Sequence, residues 1–330
     1  MALFRCSKCN HLREVGNDYL GKSVKCPKCS EISTIFNTVT FIDTLIKKHL
    51  LLKKEFINLR QQLEQKGGLD IEVIGIEPAE EIDIYNTTSL TQAENYEPII
   101  QWFQKRHIEI EINQESVDTT GFFDEVALQL GSNFDVLHSV SDHIKYIQNK
   151  KYTNAKLELS KKSPKEIKQI TTFCKEMYEY SFVAKYFYQK KEKIIRLTLQ
   201  TAPKIRQFFN GIWMEWFIFI KLLELFRDKN IATSCMRSLN ISFSDGTSHE
   251  LDIFFLTEKG TPVCIECKSG EFRQDIDKYL KLRNRLRLDK SQFIICIFGL
   301  SEEQTTGMTS MYDITFTNEI TLVNHIKNIV

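Results

Sequence analysis

The chain has 330 residues, 42% of them hydrophobic and 11% aromatic, which excludes a disordered polypeptide and suits about two packed domains with an appendage. Its longest apolar stretch, Gly211 to Phe226, is broken by Glu215, Lys221 and Glu224, and no apolar leader with a cleavage site precedes it, so neither a membrane span nor export is expected. The net charge of +1 conceals opposed blocks: Leu69 to Ile144 holds 2 Lys/Arg against 16 Asp/Glu, and Lys145 to Arg206 holds 16 against 5, a basic block of the kind that serves polyanions or forms a solvated surface.

Residues 1–36 open the chain with Cys6-Ser7-Lys8-Cys9 and Cys26-Pro27-Lys28-Cys29, two Cys-x-x-Cys knuckles separated by 16 residues. That spacing offers four thiolates to one tetrahedral zinc ion, and Gly16, Gly21 and Pro27 supply turns. The segment resembles a zinc ribbon, with Cys6, Cys9, Cys26 and Cys29 as ligands of a structural Zn²⁺. Nine cysteines, an odd number, fit a reducing compartment better than a disulfide framework, so a cytoplasmic location is expected. Lys8, Arg13, Lys22, Lys25 and Lys28 suit either nucleic-acid contact or protein docking.

Ile42, Leu45, His49, Leu52, Phe56, Leu59 and Leu63 recur at steps of three and four, so residues 38–68 are predicted as one long helix ended by Gly67-Gly68. Its seam serves either self-association, as in a homodimer, or packing on the chain's own body. Residues 69–206 read as an α/β region of unassigned role, first acidic and then basic. Its expected elements are a strand at Ile71 to Ile76, a helix through Trp102, a strand from Ile108, one helix over Phe122 to Ile147, and a helix from the Ser163-Pro164 cap to Met177. A basic, aromatic hairpin follows, pairing Phe182 to Tyr188 with Ile194 to Leu199.

Residues 207–330 are predicted in the order α-β-β-β-α-β-β-α, a mixed sheet flanked by helices. In Pro262 to Gly270, strand alternation puts Cys264, Glu266 and Lys268 on one face and Val263, Ile265 and Cys267 on the other. The preceding strand carries Glu250 and Asp252 before an apolar run, and Glu215 sits inside the apolar helix Gly211-Ile212-Trp213-Met214-Glu215. Carboxylates embedded in core-forming sequence need a partner or a metal. Hard Mg²⁺ or Mn²⁺ with oxygen ligands suits phosphodiester hydrolysis, and a lysine beside them suits holding the attacking water and stabilising charge. Cys264 and Cys267, though spaced as Cys-x-x-Cys, point to opposite faces and are not expected to bind zinc; Cys174, Cys235 and Cys296 are expected to be buried. Lys278, Lys281, Arg283, Arg285 and Arg287 line a helix that either tracks a phosphate backbone or is simply solvated.

With Glu215, Asp252 and Glu266-Cys267-Lys268 in this order, residues 208–330 resemble the PD-(D/E)XK nuclease superfamily, and within it the nuclease domain of CRISPR ancillary nucleases linked to CARF sensor domains. The resemblance implies a restriction-endonuclease-like fold and Mg²⁺- or Mn²⁺-dependent cutting of DNA, also of RNA in some members, usually in a dimer. It makes Glu215, Asp252 and Glu266 metal ligands and Lys268 the catalytic cation, with Gln274 and Tyr279 in support. The function expected is a DNA endonuclease in defence against foreign nucleic acid. The alternatives are an RNase and a nucleic-acid-binding or assembly protein with an inactive nuclease fold.

Overall fold

The computed structural model describes residues 2–39, 93–117 and 122–330, apart from residues 7, 10, 16 and 271. The strand at 71–76, and the predicted seam helix beyond its residues 38 and 39, therefore lie outside the described residues.

The chain divides into two units, 1–74 and 75–330. In the first, β1 (Ala2–Arg5), β2 (Leu12–Val15), β3 (Ser23–Lys25) and β4 (Ile32–Asn37) form a sheet in the order β2-β1-β4-β3. Its core is Ala2, Phe4, Ile35 and two of the cysteines, Cys6 and Cys26, too little apolar surface to fold alone.

The second unit is built on a six-stranded mixed sheet in the order β13-β12-β11-β10-β9-β5. Its members are β5 (Ile108–Glu111), β9 (Thr233–Phe243), β10 (Ser248–Thr257), β11 (Pro262–Lys268), β12 (Phe293–Ile297) and β13 (Thr315–Thr317). The first four are antiparallel neighbours; β11, β12 and β13 run parallel, so helices must cross between them. Those crossovers are α7 (Ile276–Leu286) and α8 (Glu302–Met311). The mixed sheet flanked by helices is the fold class expected from the sequence.

Alternation sorts the sheet's side chains into two cores. Ile253, Phe255, Val263, Ile265 and Cys267 face α6 (Trp213–Lys229), whereas Phe254, Cys264, Phe293 and Ile295 face α7 and α1 (Ala93–Gln104). Helix α6 is buried almost all round, because its second side meets α2 (Phe123–Ser132). Gly131 on α2 permits that approach: a Cβ there would lie 2.2 Å from the Phe217 ring. Beyond α2 lie α3 (Phe134–Asn149), α4 (Pro164–Glu179) and a three-stranded antiparallel sheet in the order β6-β8-β7, formed by β6 (Asn154–Glu158), β7 (Val183–Gln189) and β8 (Ile194–Leu199). A short α5 (Pro203–Gln207) leads into α6, and α9 (Leu322–Lys327) ends the chain.

The expected boundary at 206/207 falls within one compact unit. Strand β5, from the acidic block, pairs with β9 from Ile108↔Phe243 to Glu111↔Asn240 and covers an edge that would otherwise present unpaired backbone groups. The single helix expected over 122–147 is two helices meeting at Asn133. Strand β6 and helix α8 were not expected. Among the described residues no helix is long and apolar enough to cross a membrane.

Candidate active site and metal centre

In the first unit the two knuckles face each other. Cys6 Sγ lies 3.4 Å from Cys29 Sγ, and Cys9 Sγ lies 3.6 Å from Cys26 Sγ. Sulfurs held tetrahedrally at zinc are about 3.8 Å apart when each zinc–sulfur bond is about 2.3 Å. All four sulfurs lie within 4.8 Å of one another, and the donor set, four thiols and no hard ligand, fits Zn²⁺. Backbone N–H groups at Cys9 and Lys8 hold the Cys6 thiol down near 6. The N–H of Glu31 pulls Cys29 down too, but burial and the other three thiols push it to about 12. A strong chelator, or Cys26→Ala, is expected to unfold residues 2–39, because structural zinc in such modules supplies about 10 kcal/mol or more. Zinc analysis should give one ion per chain; protease resistance that survives metal removal would contradict this.

In the second unit the acids collect where strands part. β10 and β11 pair from Leu256↔Pro262 to Ile253↔Ile265, and the ladder stops before Asp252. Side chains replace the missing ladder bonds: the Cys267 N–H donates to Asp252 Oδ2 at 2.7 Å, and the Asp252 N–H points at Glu266 Oε1 at 3.5 Å. Lys268 Nζ lies 3.1 Å from Asp252 Oδ2 and 3.3 Å from Glu266 Oε2. On the other side, β9 and β10 pair at Leu251↔Leu239 and Ile253↔Arg237 but not at Asp252 and Ser238. Ser238 adopts the left-handed region at φ 52, costly for a non-glycine residue and a sign of local strain.

Asp252, Glu266 and Lys268 are thus brought together. Glu215 takes a different partner. Gly211, at φ 150, kinks the chain into α6 and puts Glu215 in its first turn. There its Oε2 accepts from Arg237 Nη1 at 2.8 Å and from Ser238 Oγ at 3.2 Å. Arg237 is anchored in turn: its Nε donates to the Ser116 carbonyl at 2.8 Å, and its guanidinium lies 4.3 Å from the Trp216 ring centre. Arg237 and Ser238 were missed in the sequence. An arginine set directly after Cys235-Met236 and shortly before Leu239 was the available signal.

Among the described residues, only the four cysteines form a compact group of metal-ligating side chains. Glu215 is paired with Arg237, and Lys268 stands between Asp252 and Glu266. Asp252 and Glu266 still fit a hard divalent cation, as one half-buried and one buried carboxylate with one ammonium between them; Glu215 would join by exchanging its bond to Arg237.

The charges respond to this crowding. Burial and then Asp252 push Glu266 up to about 8, against Lys268. Burial and Asp252 also push Glu215 up to about 7, against Arg237. Burial disfavours the Lys268 ammonium, yet Asp252 and Glu266 hold its pKa well above the usual lysine value. A carboxyl raised from 4.5 to about 8 contributes stability that is complete below 4.5 and lost as pH rises through 8. Glu266→Gln is therefore expected to flatten the fall in melting temperature over that window, and Mg²⁺ should raise the melting temperature of the parent more at pH 8 than at pH 6. Thermal melts check both; a Mg²⁺ effect independent of pH would contradict the assignment.

A cavity of about 740 Å³ opens on these groups, lined by Glu215, Arg237, Glu250, Asp252 and Lys268 together with Lys145, Lys204, Gln207 and Asn210. Of the two acids on β10, Asp252 meets Lys268, and Glu250 is exposed. The Tyr279 ring lies 5.8 Å from Lys268 Nζ, whereas Gln274 is exposed on the short turn Arg273–Asp275. On the basic helix α7, Arg283 pairs with Asp313, and Arg285 pairs with Asp245 at 2.9 Å and packs on Phe243, so two of its four cations hold the fold, and Arg287 lies just past its end. Cys264 and Cys267 lie in opposite cores, and Cys174, Cys235 and Cys296 are buried, all as expected.

No family model and no curated protein matches the sequence. Among solved structures the chain is similar to protein VC1899 from Vibrio cholerae, at 15% identity and a TM-score of 0.46, and to Can2 from Sulfobacillus thermosulfidooxidans in complex with cyclic tetra-adenylate, at 15% identity and a TM-score of 0.49. Each comparison covers 70% of this chain and 60% of the other.

Proposed function

We propose that the second unit is a divalent-metal-dependent nuclease that cuts DNA as part of defence against foreign nucleic acid. The observation that carries this reading is Lys268, whose ammonium stands 3.1 and 3.3 Å from two carboxylates of adjacent strands at the point where those strands separate. Asp252 and Glu266 would hold Mg²⁺ or Mn²⁺, with Glu215 as a third ligand once released from Arg237. When bound, such an ion polarises the scissile phosphate and lowers the pKa of water. Lys268 orients the attacking water by hydrogen bonding and offsets negative charge building on the phosphate, as a compact cation can. Lys145 and Lys204, which line the same cavity, suit the flanking phosphates of a strand.

The buried Arg237–Glu215 pair favours a second reading, a nuclease fold that binds nucleic acid without cutting it. The test is incubation of the purified zinc-loaded protein with plasmid DNA and with RNA, with Mg²⁺, Mn²⁺ or no added divalent ion, beside Glu266→Ala. Cutting that needs the ion and Glu266 supports the nuclease; cutting indifferent to both overturns it; binding without cutting favours the second reading. Cutting of RNA alone would reassign the substrate.

A further inference from the structure

The outer face of the three-stranded sheet takes no part in the site described above. Its inward residues, Ala155, Leu157, Ile195, Leu197 and Leu199, belong to the core shared with α6. Alternation then turns Lys156, Arg196 and Phe187 outward, and register aligns them across the three strands in one row, Lys156↔Arg196↔Phe187. The next row is Asn154↔Thr198↔Lys185. Phe187 is 60% exposed in the middle of its strand. The β7–β8 turn adds Lys190, Lys191 and Lys193 against Glu192 alone.

Lysines on an edge strand blunt unwanted pairing, which accounts for Lys185. That device does not account for a phenylalanine held in water beside an arginine. Lys156 is partly neutralised by Glu158 at 2.6 Å, whereas Arg196 donates to the neutral amide oxygen of Gln189, at 3.0 Å, and has no carboxylate partner among the described residues. An exposed ring flanked by cations on a flat sheet matches a polymer of stacked bases and phosphates: the ring meets a base face, the cations meet the backbone. We propose that this face, Lys156, Lys185, Phe187 and Arg196, binds single-stranded nucleic acid, with a base stacked on Phe187. Duplex hides its base faces and offers the ring nothing.

The proposal does not depend on the nuclease reading, and its test uses no divalent ion beyond the resident zinc and scores no cutting. The native tryptophans, Trp102, Trp213 and Trp216, are all buried, so Phe187→Trp places one exposed indole on the face. Titration of the full chain with oligo(dT) is expected to quench that fluorescence, and blunt duplex of equal length is not. In fluorescence anisotropy, Phe187→Ala is expected to weaken oligo(dT) binding about fivefold or more at an unchanged melting temperature. Absence of quenching at saturating oligo(dT), equal quenching by duplex, or unchanged affinity of Phe187→Ala each overturns the proposal.

Discussion

Lys268→Ala is expected to slow the proposed metal-dependent cleavage about 100-fold or more, the loss that follows removal of one preorganised charge donor. The side chain has no other evident work: it leaves the end of β11, passes Tyr279 and ends between Asp252 and Glu266. Its loss leaves the two carboxylates without the cation that opposes their repulsion, so the Glu266 pKa, already about 8, moves further up. The variant should therefore need higher Mg²⁺ or higher pH to reach its residual rate. Lys268→Arg should rescue little, because a planar guanidinium cannot take the place of a compact ammonium in that gap. Single-turnover cleavage across a Mg²⁺ titration separates the two effects. A Lys268→Ala rate equal to the parent's at saturating metal would remove the lysine from the chemistry.

Much of this centre was legible in the sequence, because strand alternation is a strong local rule. Glu266 and Lys268 two apart on β11 had to share a face, and an acid at the start of the apolar run of β10 had to sit beside them. The four cysteines were legible from spacing alone, since two knuckles admit few other purposes. Arg237 was not, and the reason is geometric. The left-handed residue Ser238 breaks the period of two, so Met236 and Leu239, three apart, face the same core. Leu251 and Phe254 do the same across Asp252. Steady alternation does not hold across that point, so no period of two marks Arg237 as a residue of the inner face. Strand β6 offers only Ala155 and Leu157 to the core, and α8 buries a single threonine, Thr305, so neither carries an apolar pattern to detect. The buried acid Glu215 correctly announced that it needed a partner, but sequence does not say whether the partner is a metal or an arginine 22 residues away.

Arg237→Leu is expected to destabilise the second unit by about 3–5 kcal/mol, the usual consequence of removing one member of a buried ion pair. Arg237 is 5% exposed and Glu215 8%, so little water is available to replace the lost hydrogen bonds. The variant strands Glu215 beside Asp252, and the Ser116 carbonyl loses its donor as well. The size of the effect should follow pH, with a sign fixed by the carboxyl. The Glu215 pKa is already raised from 4.5 to about 7 with Arg237 present, and it rises further without it. Such a group contributes stability that is complete below 4.5 and lost as pH climbs through the folded value. Arg237→Leu should thus be close to tolerated near pH 5, where Glu215 can fold protonated, and most damaging at pH 8. Glu215→Gln in the same chain should recover much of the loss at pH 8 and none of it at pH 5, since a neutral amide needs no counter-charge. Urea unfolding of the metal-free, zinc-loaded protein at the two pH values measures this; a penalty equal at both would mean that the guanidinium acts through packing on Trp216, not through its charge on Glu215.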